Sequence, residues 1–367
     1  MHEQAPELKE VGAGLQLSAN GTRVFYALGV GEELKALSCE ATGKEIRLWN
    51  TGESWKLFDL GQVSLERYGY PYFTVYRPDV LDVLARAVRR LKPDAIRLGS
   101  RCIGFSQDAA GVTLRLEKGE AKGDALVGAD GVHSRIRQCL FGEDRPQFTG
   151  IIAWRGIVPM ERLPAHMARM VGVNWVGPGA HVVHYPLRAG KLMNLVGALE
   201  RSDWQVESWS ARGTNAELAA DFAGWHEDVQ ALIREIPQPH KWALMVRPPM
   251  ARWTAGRVTL LGDACHSMVP FLAQGAVMAI EDGLVLARAL TELGGDVPSR
   301  LARYEQARRE RTRRAVEGSA DNITRFHSRA LADPAAAREY VQREWAAQNV
   351  ASRYEWLFRY DATTEAL

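Results

Sequence analysis

The sequence predicts an α/β protein in which an open, mostly parallel sheet is interrupted by a second, mostly antiparallel domain and followed by C-terminal helices. Two strand-like runs, the continuously apolar Ala125–Ala129 and the segment RVTLL, Arg257–Leu261, end in Asp130-Gly131 and Gly262-Asp263, as buried strands do where they open into a loop and a helix. Between them, from Gly150 to Arg247, the texture changes to strand-like segments rich in Trp, Val and Tyr. From about Pro298 to Arg359 the apolar spacing is helical. The chain therefore leaves its first domain and returns to it, with expected parts 1–148, an inserted sheet domain 149–246, a return at 247–297 and helices over 298–367.

Taken in order, Ala19–Leu28 and Pro78–Leu91 carry apolar residues at three and four spacing, and Pro78 suits a first helical turn. Ala95–Leu98, Cys102–Gln107 and Val112–Glu117, with a turn over Asp108–Gly111, read as a small β-meander. In the inserted domain Ile151–Val158, Val171–Val176, His181–Pro186 and Leu192–Leu199 are the strands. Gly275–Leu290 is a helix after the second Gly/Asp turn, and Trp345, Tyr354, Trp356 and Tyr360 are packing residues of the helical tail.

With 367 residues and 46% hydrophobic content the chain can bury two cores or one large one. Basic and acidic residues nearly cancel, 46 against 44, so nucleic acid is not an expected partner. The Arg-rich stretch Arg303–Arg314, interspersed with Glu305 and Glu310, reads as a solvated helix face. Cys39, Cys102, Cys139 and Cys265 are far apart and lack metal-ligand spacing, so reduced thiols and no metal are expected. Met1–Glu10 is polar and no run approaches the roughly 18 apolar residues of a membrane span. No membrane contact and a cytoplasmic location are the expectations.

A strand ending in Gly-Asp before a glycine-punctuated helix start is common. The full stretch RPPMARWTAGRVTLLGDACHSMVPFLAQGAVMAIEDGLVLARAL, Arg247–Leu290, is more specific: it closely resembles the second FAD fingerprint of the flavoprotein aromatic hydroxylases. Gly262-Asp263, His266, Pro270, the AQGA run and Glu281-Asp282 fall where that family has them. ALVGADGVHSRIR, Ala125–Arg137, resembles the family's internal DG motif, and Asp130 can equally cap the helix that follows. Gly12–Val30, YRPDVLDVL with Arg77, and AWRGIVPMERLP are further matches, so the resemblance covers nearly the whole chain.

The resemblance implies a glutathione-reductase-type, Rossmann-like FAD-binding domain with the substrate domain interleaved. It implies FAD held by Glu3, Arg77, Cys102, Asp130, Gly262, Asp263, Gln274, Gly275 and Ala276, with NADH or NADPH as co-substrate. It also implies hydroxylation of a small aromatic acid by dioxygen through a flavin C4a-hydroperoxide. Such chemistry needs an electron-rich ring, hence a base, a polar anchor and an apolar lining that excludes water. In GAHVVHYPLR, alternation puts His181, Val183 and Tyr185 on one strand face and Val182 and His184 on the other. Similarity to 3-hydroxybenzoate 6-hydroxylases implies His181 as base, Tyr185 as orienting group, Gln274 beside flavin and substrate, and Pro270 shaping the oxygen site. The alternatives are a salicylate 1-hydroxylase or N-heteroaromatic acid hydroxylase, and, from another class, a cofactor-deficient, non-catalytic remnant. A homodimer fits the sequence without being fixed by it.

Members of the family begin with a strand and a GxGxxG turn that holds the FAD pyrophosphate, with an acidic residue ending the next strand. Here Glu3 in MHEQAPEL matches that acid, Gly12-Ala13-Gly14 lies in the wrong context, and the first strand and phosphate loop, roughly 30 residues, are not among the 367. Weak or absent FAD retention is the expectation for the 367-residue chain; stoichiometric flavin absorbance after purification refutes it.

Overall fold

The computed structural model describes residues 1–8, 14–201, 203 and 211–367; Gly12 and Ala13 of the expected N-terminal match, and Glu10, lie outside them. The two runs are strands, Leu126–Gly128, partly buried, and Val258–Leu260, fully buried, paired in parallel with Gly128 opposite Leu260. Their carboxyl ends coincide, so Asp130 and Asp263 leave the sheet on the same side from neighbouring strands, where open α/β sheets place ligands.

A seven-stranded sheet dominates the inserted region, in the order His240–Val246, Gln147–Pro159, Leu192–Glu200, Ala180–Leu187, Val171–Gly177, Gly43–Leu48, Ser54–Asp59. It is antiparallel except where Val171–Gly177 runs parallel to Gly43–Leu48. The boundary expected at residue 148 does not describe this sheet, because two of its strands come from residues 43–59. Alternation gives it two faces, each packed over most of its area. The back, with Ile152, Trp154, Trp175, Val182 and Leu195, packs on the short helices Asn215–Asp221 and Glu227–Arg234 through Leu218, Phe222 and Val229. The front, with Ile151, Ala153, Val176, Ala198 and Trp242, shares a core with Phe271, Leu272, Val277 and Met278.

The meander differs from expectation. Its strands are Cys102–Gln107, Val112–Leu116 and Glu120–Gly123, whereas Ala95–Leu98 begins in a 3₁₀ turn over Pro93–Ala95 and forms no strand. The backbone of this last segment is already taken. Arg97 N–H donates to Met1 O, and Glu3 N–H donates to Arg97 O, both at 2.9 Å, around a parallel bridge between His2 and Arg97.

The helix Val297–Phe326 is capped by Asp296, whose carboxylate accepts from Ser299 N–H, and carries Pro298 in its first turn. Its buried stripe, Leu301, Tyr304, Arg308, Thr312, Ala315, Ser319, Asn322 and Phe326, keeps helical period. The solvated-face reading of Arg303–Arg314 is therefore corrected. Arg313 does pair with Glu310 and Glu317 in solvent, but Arg308 falls on the apolar stripe and is 0% exposed. There its guanidinium meets Asp282 Oδ1 at 2.7 Å and Glu281 Oε2 at 2.7 Å, both from the neighbouring helix Gly275–Glu292. Arg311 adds a two-pronged contact to Glu281 at 2.8 Å.

Burial raises both carboxyls, but Arg308 and Arg311 around Glu281, and His266 and Arg308 around Asp282, outweigh it and hold both below their ordinary values. Arg308→Met, which removes the buried cation that both carboxylates share, is expected to cost about 3–5 kcal/mol in urea unfolding; a loss under about 1 kcal/mol would reduce the cluster to a surface-like pair. Because the folded values are depressed, this stabilisation is present above the ordinary carboxyl range. It should disappear as pH falls toward about 2, where Asp282 titrates.

Candidate active site

The Gly262-Asp263 turn is shaped by backbone. Gly262 has φ 64°, in the left-handed region that favours glycine, and an added Cβ would crowd Ala279 Cβ at 3.1 Å. Its N–H donates to Asp282 Oδ2 at 3.1 Å, and His266 Nε2 contacts the same oxygen at 2.6 Å. The buried ion cluster thus fixes the turn that presents Asp263. That carboxyl is solvent-reachable, yet crowding by the protein pushes it up against the pull of His266 and Arg77. Arg77, the first residue of the helix Arg77–Leu91, therefore lies within electrostatic reach of Asp263.

Asp130 uses both carboxylate oxygens locally: Ser134 Oγ–H donates at 2.5 Å and Ile136 N–H at 3.0 Å, while Ser134 itself caps the helix Arg135–Phe141. Cys102 stands near it; burial pushes the thiol up, and Asp130 adds to this. Glu3 accepts from Ala5 N–H at 2.8 Å, and its carbonyl accepts from Ser100 N–H at 2.8 Å, two residues before Cys102. Glu3, Cys102 and Asp130 so border one edge, and Arg77 and Asp263 form a second group.

The helix Gly275–Glu292 starts at Gln274 with no side-chain cap, leaving the first-turn N–H groups of Gly275 and Ala276 to a partner outside the helix. Gln274 is buried, but its amide is engaged. Oε1 accepts from Asn20 at 3.2 Å and Nε2 donates to Ser18 Oγ at 2.9 Å, while Asn20 also donates to Glu281 at 2.7 Å. Through these bonds the Gln274 side chain locks this helix start to the helix Ala19–Ala27. Pro270 opens a 3₁₀ turn, Pro270–Leu272, that leads into left-handed Ala273. Ser319 and Asn322 of the long helix hold this loop through the carbonyls of Val269 and Phe271.

On the sheet, His181 and Tyr185 lie on the front face and His184 on the back, as alternation requires. Burial, with Arg47 nearby, drops His184 to about 3. His181 sits edge-on to Phe271, with ring centroids 4.7 Å apart, and burial together with His327 holds it well below its ordinary value. Burial pushes the Tyr185 phenol up against the pull of Arg155. Register lines up Arg155, Val196, Val183 and Asn174 across four front-face strands, with His181 in the row on one side and Asn194 and Tyr185 in the row on the other. Val183 and Val196 are partly exposed while both sequence neighbours of each are buried, so the face is not fully covered at its centre. Asn174 Oδ1 and Asn194 Nδ2 are buried there without hydrogen-bond partners. Asn194 Oδ1 accepts from Gly14 N–H at 3.0 Å, and a Cβ on Gly14 would come within 2.5 Å of the Tyr185 ring.

Arg155, Asn174 and Asn194 were not singled out in the sequence. Each is a polar residue at an inward position of an otherwise apolar strand, a signal that alternation alone supplies.

A family model described as an FAD binding domain matches residues 6–319. The chain is 36% identical over 364 residues to 3-amino-4-hydroxybenzoate 2-monooxygenase PtnB3 of Streptomyces platensis, covering 99% of this chain and 90% of that one. It is 35% identical over 332 residues to 3-hydroxybenzoate 6-hydroxylase of Polaromonas naphthalenivorans, covering 90% and 82%. Among solved structures, Klebsiella pneumoniae HpxO complexed with FAD and uric acid aligns with a TM-score of 0.82 at 25% identity, covering 98% and 88%. A salicylate hydroxylase substrate complex aligns at 0.79 with 27% identity, covering 96% and 89%. The uncapped start of an 18-residue helix and the Arg77–Asp263 group offer what an anionic, hydroxyl-rich cofactor needs. The chain belongs to the FAD-binding-domain family, and it is an FAD-dependent monooxygenase of the flavoprotein aromatic-hydroxylase kind.

Proposed function

We propose that the protein hydroxylates a phenolic aromatic acid resembling 3-hydroxybenzoate, with dioxygen and NADH or NADPH as co-substrates. The observation that carries this reading is the front-face row: a buried cation, Arg155, then an open floor of two valines, then the Asn174 amide, with His181 and Tyr185 on either flank. Arg155 suits a carboxylate, the valines suit a ring, and Asn194 Nδ2 is a donor for a ring substituent. The relatives act, by their names, on 3-hydroxybenzoate, 3-amino-4-hydroxybenzoate and 6-hydroxynicotinate, each an aromatic acid with a ring hydroxyl.

When bound, FAD supplies reduction by the nicotinamide and activation of dioxygen. Asp263, Arg77, the N–H groups of Gly275 and Ala276, and the Glu3, Cys102 and Asp130 edge would hold it, with Gly262 allowing close approach. Arg155 binds the substrate carboxylate and Tyr185 orients the ring. His181, neutral because it is buried, accepts the phenolic proton and raises the electron density of the ring. The Pro270–Leu272 loop, braced by Ser319 and Asn322, closes the site with apolar side chains and limits water. Gln274 acts indirectly, by fixing the helix start through Ser18 and Asn20.

His181→Ala should lower product formation by about 100-fold or more while substrate-stimulated NAD(P)H oxidation persists; equal loss of both removes His181 from the base role. Arg155→Met should weaken 3-hydroxybenzoate binding by about 2–5 kcal/mol in fluorescence titrations and leave the affinity for unsubstituted phenol nearly unchanged. Parallel weakening of both ligands would place Arg155 outside the carboxylate site. Product analysis with 3-hydroxybenzoate, 3-amino-4-hydroxybenzoate, salicylate and 6-hydroxynicotinate identifies the acid.

A further inference from the structure

His181 is one end of a hydrogen-bonded chain that leads out of the site. Its Nδ1 lies 2.7 Å from Nε2 of His327, and Nδ1 of His327 lies 3.2 Å from Oε1 of Glu200. His327, just past the end of the long helix, is 4% exposed and His181 is 1% exposed, whereas the Glu200 side chain is 54% exposed. The backbone holds this alignment, since Gly179 N–H donates to His327 O at 3.0 Å and Gly179 O accepts from Glu200 N–H at 2.9 Å. Glu200 and His327 line a cavity of about 640 Å³ at the rim of the sheet, with Asp221, Trp225 and Arg329 among its walls. None of these wall residues belongs to the front-face row where the ring is placed.

The chemistry of the donors fixes the hydrogens when both rings are neutral. A carboxylate only accepts, so His327 carries its hydrogen on Nδ1. It must then accept at Nε2, so His181 carries its hydrogen on Nδ1, and Nε2 of His181 is left as a free lone pair. Retaining a proton on His181 would be costly. Phe271 and Phe326, with centroids 4.7 and 5.1 Å away, surround the ring, and among the described residues the ionisable group in contact with it is His327. The charged groups near the outer end are Glu200 itself, Asp221, which pairs with Arg201 at 2.6 Å, and Arg329.

We propose that His181, His327 and Glu200 form a proton relay between the substrate hydroxyl and the rim cavity, so that the proton leaves without water entering the site. The phenolic O–H bond breaks as N–H forms at His181 Nε2. The Nδ1 hydrogen of His181 passes to His327 Nε2, and the Nδ1 hydrogen of His327 passes to Glu200 and then to bulk solvent. One proton enters the chain and one leaves, no electrons are exchanged, and both rings end as the opposite tautomer. The same path run backwards delivers a proton to the product oxygen and restores the start. His327 and Glu200 are positioning residues that act through His181, and the relay rests on the base role proposed for His181.

The test uses the protein kept saturated with added FAD, with 3-hydroxybenzoate, reading ionisation of the bound phenol by its ultraviolet absorbance, proton release with a pH indicator, and hydroxylation. His327→Ala should slow proton release and hydroxylation about ten- to a hundredfold. Imidazole entering from the rim cavity should restore both severalfold. 1-Methylimidazole fills the same space but cannot take a proton on one nitrogen and give it from the other, so it should not rescue. Equal rescue by the two compounds overturns the relay in favour of a space-filling role. Loss of phenol ionisation in His181→Gln with wild-type proton release and rate in His327→Ala overturns the relay and leaves the base assignment intact; full ionisation in His181→Gln overturns both. If His327→Ala does not fold, the half-exposed Glu200→Gln serves: its rate at low buffer should fall and then rise with buffer concentration. A rate equal to the wild type at every buffer concentration overturns the relay.

Discussion

Two carboxylates and an arginine buried at the junction of three helices are the constraint on which the rest depends. Asp282 and Glu281 stand side by side in one helix, Arg308 reaches them from another, and Asn20 joins Glu281 from a third. Burying such charges is costly unless every oxygen is occupied, and here each has a donor. The useful result is position rather than net stability. Asp282 also takes the Gly262 N–H and His266, and Glu281 is tied through Asn20 to Gln274. The Gly/Asp turn and the helix start that would meet a flavin are therefore set by the same few ionic contacts.

The sheet supplies the opposite kind of environment. Its front face is covered by the core it shares with Phe271 and Leu272 except over Val183 and Val196, and the polar groups at the margin of that opening come from different strands. Strand register brings a cation, an amide, an imidazole and a phenol around one apolar floor, none of them on a loop. Such groups are held by packing on both sides, which is what a site needs when it must orient a small ring and exclude water.

Much of this was legible in the sequence. Segments rich in Trp, Val and Tyr mark four strands of the inserted sheet, alternation gives the opposite faces of His181 and His184, and the runs ending in Gly/Asp mark the paired parallel strands. What was not legible depended on distant partners. An arginine at helical spacing reads the same whether it faces solvent or a carboxylate brought from another helix, so Arg308 was misplaced. His327 is 146 residues from His181, and nothing local distinguishes it. Nor does the segment around Gln274 reveal its bonds to Ser18 and Asn20. The strands Gly43–Leu48 and Ser54–Asp59 did carry a signal, alternation on either side of Asn50-Thr51-Gly52, but nothing in it says which sheet they join.

That last point reaches beyond the site. Because Gly43–Leu48 and Ser54–Asp59 complete a sheet otherwise drawn from residues 147–246, the floor under the ring and the cofactor half are stitched into one folding unit. Cutting out the central insert for transplantation into a relative would carry Val171–Gly177 away as a bare rim, ready to pair with whatever strand it meets. Exchange of specificity between such enzymes is thus better made by side-chain replacement on the intact frame than by swapping modules.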